Sequence, residues 1–153
     1  MKILCCKVLE ALKGKTLVTA ESCTGGGIGA ALTAIPGSST IYKGGIISYT
    51  NWMKNTMLNV DENLLSRVGP VSAPVAEAMA RGARNRLEAN IAISVTGIAG
   101  PGGDDYGNPQ GKVFIGYADE NICTSKEFLF AGDRDAVRRQ AVEAALQMIL
   151  LHN

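Results

Sequence analysis

Ser22 stands in the segment T-L-V-T-A-E-S-C-T-G-G-G (16–27), directly behind a short apolar run and ahead of three glycines. A hydroxyl on a strand-to-helix turn, with glycines that let a ligand approach the backbone, is one way an α/β protein presents a nucleophile. N–H groups at the start of the following helix can bind a phosphate or hold the oxyanion of an acyl-transfer intermediate. The competing reading is that Ser22 only caps that helix. A second glycine-rich loop, T-G-I-A-G-P-G-G-D-D-Y-G-N-P-Q-G (96–111), also opens from an apolar run. It matches neither G-x-x-x-x-G-K-[ST] nor G-x-G-x-x-G. Loops of this length are uncommon in compact domains and often functional, the alternative being a flexible surface turn. Asp104 and Asp105 read as a solvated tip rather than a metal site, because no third ligand lies nearby in sequence.

A reactive serine needs a base. The one histidine, His152, is the second-last residue, which argues against a Ser-His-Asp triad and against Cys23 as half of a Cys–His pair. What remains for a serine is a lysine of lowered pKa, and burial lowers it by disfavouring the ammonium. Lys54 is the preferred lysine, one turn into the helix that follows a predicted strand over Tyr42–Thr50. Lys43 sits at that strand's far end, and Lys112, beyond the glycine loop, stays open. Most lysines are simply solvated.

The elements that must position these residues follow from periodicity. Apolar spacing predicts a helix over 2–13 stopped by Gly14, then a strand over Lys15–Ala20. A small-residue helix over Gly26–Ile35 ends at Pro36-Gly37. Asn51 is the expected N-cap of a short helix to Leu58, and Asp61–Ser66 reads as a helical turn. Ser72 is expected to cap a longer helix whose buried stripe is Val75, Met79, Ala83 and Leu87, or Ala76, Ala80 and Ala83. Its arginines gather toward the C-terminal end, as the macrodipole favours. Ile91–Val95 reads as a strand buried on both faces. Val113–Ala118 and Cys123–Phe130 read as a hairpin about Asp119-Glu120-Asn121. Asp133 is the expected cap of a final helix to about Leu151. This order predicts an α/β fold, a three-layer α/β/α sandwich with a mixed, largely parallel sheet. Loops at Ser22, Thr50 and Thr96 would leave the C-terminal ends of strands, where ligands bind in such sheets.

Composition narrows the function. The 153 residues fit a single domain over 1–153. A net charge of +1 and 5% aromatic content give no basic field and few stacking platforms, so no nucleic-acid partner is expected. The four cysteines have neither C-x-x-C spacing nor a disulfide pattern, and they read as small apolar residues in a reducing cytoplasm. No apolar run is long enough for a membrane span, and no signal peptide is evident. No metal and no cofactor is expected. The composition leaves a homo-oligomer open.

Taken together, these blocks resemble the C-terminal domain of the CinA family, whose standalone members are nicotinamide-nucleotide amidases. The family's marks are A-E-S-C-T-G-G, G-G-x-x-x-Y-x-x-x-x-K, G-x-V-S-x-x-V-A-x-A-M-A, T-G-x-A-G-P-x-G-G and D-R-x-x-x-R. This chain carries Ala20–Gly26, Gly44-Gly45 with Tyr49 and Lys54, Gly69–Ala80, Thr96–Gly103, and Asp133-Arg134 with Arg138, in family order. The resemblance implies hydrolysis of nicotinamide mononucleotide to nicotinic acid mononucleotide and ammonia, without metal. It implies Ser22 as nucleophile and Lys54 as base, assisted by Tyr49 and Thr96. The substrate would then be held by Thr24, Gly25, Gly26, Gly97, Ala99, Gly100, Gly102, Gly103, Arg134 and Arg138. Arginines near a helix start oppose the macrodipole, so an anionic partner would account for them. The alternatives are a silent nucleotide-binding paralogue and an amidase for another carboxamide. Two departures bear on this: Asn108–Lys112 replaces the family's Pro-Val-Gly-Thr, placing Gln110 and a cation, Lys112, near the expected site, and Pro70 and Pro74 flank the long helix start.

Overall fold

A computed structural model describes all 153 residues. The chain runs α1 (Lys2–Ala11), β1 (Leu17–Glu21), α2 (Gly27–Thr33), a 3-10 turn (Ser38–Thr40), β2 (Tyr42–Ile47), α3 (Asn51–Leu58), α4 (Glu62–Val68) and α5 (Ala73–Arg86). It continues through β3 (Ile91–Gly97), β4 (Lys112–Ala118), β5 (Cys123–Leu129) and α6 (Arg134–Leu151). The five strands lie in the order β2-β1-β3-β4-β5. β2, β1 and β3 pair in parallel, and the β4–β5 hairpin adds two antiparallel pairings. Only β4 runs against the rest, so the sheet is mixed and largely parallel in direction, as expected.

Period-two alternation sorts the strand residues between two cores. Leu17, Ile91, Ile93, Val95, Val113, Ile115 and Tyr117 face α1, α2 and α6. Val18, Ala20, Ile46, Ala92 and Ala118 face α5 and the short helices α3 and α4. Small residues on this second face let α5 sit close: a Cβ on Gly116 would strike Ala76 O, and Ser94 Oγ donates to that same carbonyl at 2.5 Å. Both stripes foreseen for α5 point inward at Val75, Ala76, Met79, Ala80 and Ala83, whereas Leu87, also expected there, is the C-cap and only half-buried. Gly82 brings α5 against the end of α3, where a Cβ would collide with Leu58 O. That contact fixes the helix carrying Lys54.

Several local expectations are corrected. The strand after Tyr42 stops at Ile47, and Thr50 rather than Asn51 caps α3, accepting from Met53 N at 3.2 Å. Asp61 caps a full helix, not a turn, by accepting from Asn63 N at 2.8 Å. Ser72 holds the N-cap position of α5, but its hydroxyl donates to Gly69 O instead. Asp133 caps α6 as expected, accepting from Ala136 N at 2.9 Å. No helix is long and apolar enough to cross a membrane.

Candidate active site

The sheet register builds the site. Glu21 lies opposite Ile47 of β2 and Val95 of β3. The ladder runs one residue further on both sides, with Ser22 N donating to Val95 O at 3.0 Å and Ser48 N to Glu21 O at 2.9 Å. Ser48, Ser22 and Thr96 are therefore consecutive positions across three parallel strands, at their C-terminal ends. All three are buried.

Lys54 comes down onto this row from α3. Its side chain is 2% exposed, and Nζ donates to Ser22 Oγ at 3.1 Å and to Ser48 O at 3.0 Å. Burial strips water from the ammonium and pushes its pKa down to about 8 from 10.5, with a smaller opposing pull from Cys23. The other two lysines are elsewhere. Lys43 Nζ donates to Leu87 O at 2.6 Å and Glu88 O at 3.1 Å past the end of α5. Lys112 pairs with Glu127 at 2.9 Å on the β4–β5 hairpin, so the expectation of an extra cation at the site is corrected.

Ser22 does not cap α2. The N-cap is Gly26, at φ 101°, and the carboxylate that serves the helix start is Glu21. Glu21 Oε1 accepts from Ile28 N and Thr24 Oγ1, both at 2.8 Å, and Oε2 accepts from Gly29 N and Thr19 Oγ1, both at 3.1 Å. The amides of Ile28 and Gly29 are thus taken by an internal anion, so any ligand at this helix start would have to use the N–H groups ahead of them. Thr24 is likewise committed through its hydroxyl. The N–H groups of Cys23, Thr24 and Gly26 still donate to no group of the chain. Glu21 was missed from sequence. The available signal was an acidic residue between two threonines at the junction of a strand and a glycine-led helix.

A cleft of about 240 Å³ opens next to the Ser22 turn, lined by Cys23, Tyr49, Gly97, Ile98, Ala99–Gly103 and Arg134. Arg134 Nη1 donates to Gly100 O at 2.6 Å and Nη2 to Tyr49 Oη at 3.1 Å, tying α6 to the glycine loop and to the end of β2. Arg138 Nε donates to Cys23 O at 3.0 Å and Nη2 to Thr24 O at 3.2 Å, fixing the Ser22 turn. Carbonyl partners thus satisfy much of the charge that the sequence assigned to an anion. Gln110 clasps the loop, accepting from Gly102 N and donating to Gly132 O, each at 3.0 Å. The N–H groups of Ala99, Gly100 and Gly103 point to no acceptor within the chain.

Thr96 is in the row, yet its hydroxyl donates to Pro70 O at 2.7 Å. Asp104 binds its own loop, accepting from Tyr106 N at 3.0 Å and from Asn108 N and Nδ2 at 2.9 and 2.8 Å. Cys23 is 5% exposed, and burial pushes its thiol up to about 11, so it packs rather than reacts. Of the expected residues, Ser22 and Lys54 make direct contact. Tyr49, Gly97, Ala99, Gly100, Gly102, Gly103 and Arg134 line the cleft, while Gly25, Gly26 and Arg138 shape the turn behind it.

Fold and site together define an α/β protein with a hydroxyl–amine pair at the C-terminal ends of its parallel strands. The CinA C-terminal domain pattern matches residues 4–152, and the chain belongs to that family. A protein of Pseudomonas putida named nicotinamide-nucleotide amidohydrolase PncC is 46% identical over 134 residues, covering 88% of this chain and 84% of that one. A CinA-like protein of a Cyanothece species is 59% identical over 137 residues, 88% of this chain. The chain spans about a third of the length of that protein and of the other CinA-like proteins it matches. A CinA superfamily protein from Escherichia coli superposes with a TM-score of 0.97 at 34% identity, covering 99% of this chain and 90% of that one.

Proposed function

We propose that this chain is an amidohydrolase that releases the carboxamide nitrogen of nicotinamide mononucleotide as ammonia, leaving nicotinic acid mononucleotide. The observation that carries the reading is the 3.1 Å contact between Lys54 Nζ and Ser22 Oγ, made by a lysine that burial keeps easy to deprotonate. At pH 7 a base with pKa about 8 is neutral in roughly one molecule in ten, against about one in three thousand for an unperturbed lysine. That difference makes Lys54 usable as a general base.

Neutral Lys54 takes the Ser22 proton as Oγ bonds to the carboxamide carbon, and the carbonyl electrons move onto oxygen. The N–H groups of the Ser22 turn that bond to nothing else in the chain receive that oxyanion in this reading. On collapse the C–N bond breaks, and the leaving nitrogen takes the proton from Lys54 to depart as ammonia. Lys54, neutral again, takes a proton from water as the hydroxide oxygen attacks the ester. Oγ recovers the proton and the carboxylate leaves. Tyr49, held by Arg134, forms one wall for the nicotinamide ring. Thr96 supports the row through Pro70. The phosphate is received at the mouth by Arg134, which retains unused donors, and by the free N–H groups of Ala99, Gly100 and Gly103.

Ammonia release from the mononucleotide tests this with wild type, Ser22→Ala and Lys54→Ala. Each substitution is expected to lower turnover by at least about a thousandfold. Full activity in either variant rejects the pair. Binding without turnover in the wild type points to a nucleotide-binding protein, and turnover confined to another carboxamide points to a different substrate.

A further inference from the structure

Ser48 Oγ is the one buried side-chain polar atom in the chain without a hydrogen-bond partner, and Ser48 is fully buried. Leaving a buried hydroxyl unpaired costs stability, and such groups in native proteins call for a functional or solvent explanation. The main chain of Ser48 is fully committed, N–H to Glu21 O and carbonyl to Lys54 Nζ at 3.0 Å. Its side chain is therefore anchored within one residue of the amine that moves protons.

The donor count at Lys54 shows what is lacking. An ammonium has three N–H donors, and the chain supplies two acceptors, Ser22 Oγ and Ser48 O. One N–H is left over in the charged form, inside a site with little water. The neutral amine also leaves one N–H over, but an unpaired donor on a cation costs more than on a neutral group, since charge-assisted bonds are about twice as strong. We propose that Ser48 is a positioning residue for Lys54: its hydroxyl turns about χ1 to accept the third N–H of the ammonium that forms when Ser22 gives up its proton. This holds Nζ between Ser22 and the leaving nitrogen while the charge is present. The inference rests on the Ser22–Lys54 chemistry proposed above.

Few other charges act on Lys54. From the Ser22 turn it faces the Cys23 thiol, neutral at working pH because burial holds it near 11. Glu21 projects from the opposite face of β1 and is committed to α2. Arg134 and Arg138 of α6 are bonded to carbonyls across the cleft. On the packed helices, Glu77 of α5 accepts from Ser125 at 2.8 Å, Arg84 donates to Asn90 O at 3.0 Å, and Arg81, Arg86, Glu62 and Arg67 are exposed. None supplies the missing acceptor.

The test compares wild type with Ser48→Ala, Ser48→Cys and Ser48→Thr. The titration of Lys54 is read by NMR of carbon-labelled lysine, assigned with Lys54→Ala, and ammonia release is followed across pH. Removing the acceptor in Ser48→Ala is expected to lower the Lys54 midpoint by about half to one unit. The acid limb of kcat/KM should move down with it, and kcat should fall about tenfold. Ser48→Cys, which fills the space with a poor acceptor, should follow Ser48→Ala, and Ser48→Thr should keep the wild-type profile. Below about pH 8, where Lys54 is mostly charged, Ser48→Ala should melt slightly lower than wild type, and the difference should close toward pH 10 as the lysine becomes neutral. An unmoved Lys54 midpoint in Ser48→Ala and Ser48→Cys overturns the proposal. If the wild type releases no ammonia, the amidase reading fails while the lysine titration still decides the role of Ser48.

Discussion

Lys54 is costly where it sits. Its pKa is about 8 in the folded chain and near 10.5 when unfolded, so between those values the unfolded chain binds more protons. Stability accordingly rises as pH climbs from about 8 to 10.5, and below 8 the full penalty of a buried ammonium is present. Lys54→Met is therefore expected to stabilise the protein at pH 7 by roughly 1–3 kcal/mol while abolishing turnover, the lost bond to Ser48 O offsetting part of the gain. Denaturant melts at pH 7 and pH 10 check this, because the gain should shrink at the higher pH. A lysine kept at the expense of stability is what a functional site requires.

At the scale of elements, the site depends on how α2 begins. Glu21 takes four donors from the chain, two of them first-turn amides, and an anion at a helix N-terminus also meets the macrodipole favourably. Glu21→Ala leaves those buried donors unpaired and is expected to cost about 3 kcal/mol, read as a lower urea midpoint. Turnover should fall as well, because Ser22 follows directly on the residue that anchors the turn. None of this bonding was legible in the sequence, although the strand, the glycines and the helix were. Local pattern marks where a helix starts, but which carboxylate satisfies it depends on a side chain reaching forward seven and eight residues. The 96–111 loop behaves similarly. Its glycines were legible, whereas the Gln110 and Arg134 clasps that hold it join segments far apart in the chain.

The whole molecule rests on two apolar cores flanking one sheet rather than on charge. It has two salt bridges, Lys13–Glu10 at 2.7 Å with both side chains about 70% exposed, and Lys112–Glu127. Exposed pairs contribute at most about 1 kcal/mol and are screened by salt. Its unfolding midpoint is thus expected to change little between low and half-molar sodium chloride, while Ile93→Ala, which opens the larger core, should cost about 2–5 kcal/mol. A strong salt dependence in calorimetry would contradict that ranking.

By itself the sequence determined the alternation of helices and strands, the two glycine loops, the exclusion of histidine as base and the family pattern. These follow from local periodicity, residue types and spacing, which the chain carries without folding. Tertiary structure alone decided that Lys54 Nζ, which spacing and the family pattern had only favoured, lies against Ser22 Oγ, and that Glu21 rather than a ligand occupies the Ile28 and Gly29 amides. It also decided that Arg134 and Arg138 hold carbonyls and that Ser48 is left with an unpaired hydroxyl. Each of these is a matter of strand register and helix docking, set by which faces bury together, and a shift of one residue would send Ser22 to the other side of the sheet.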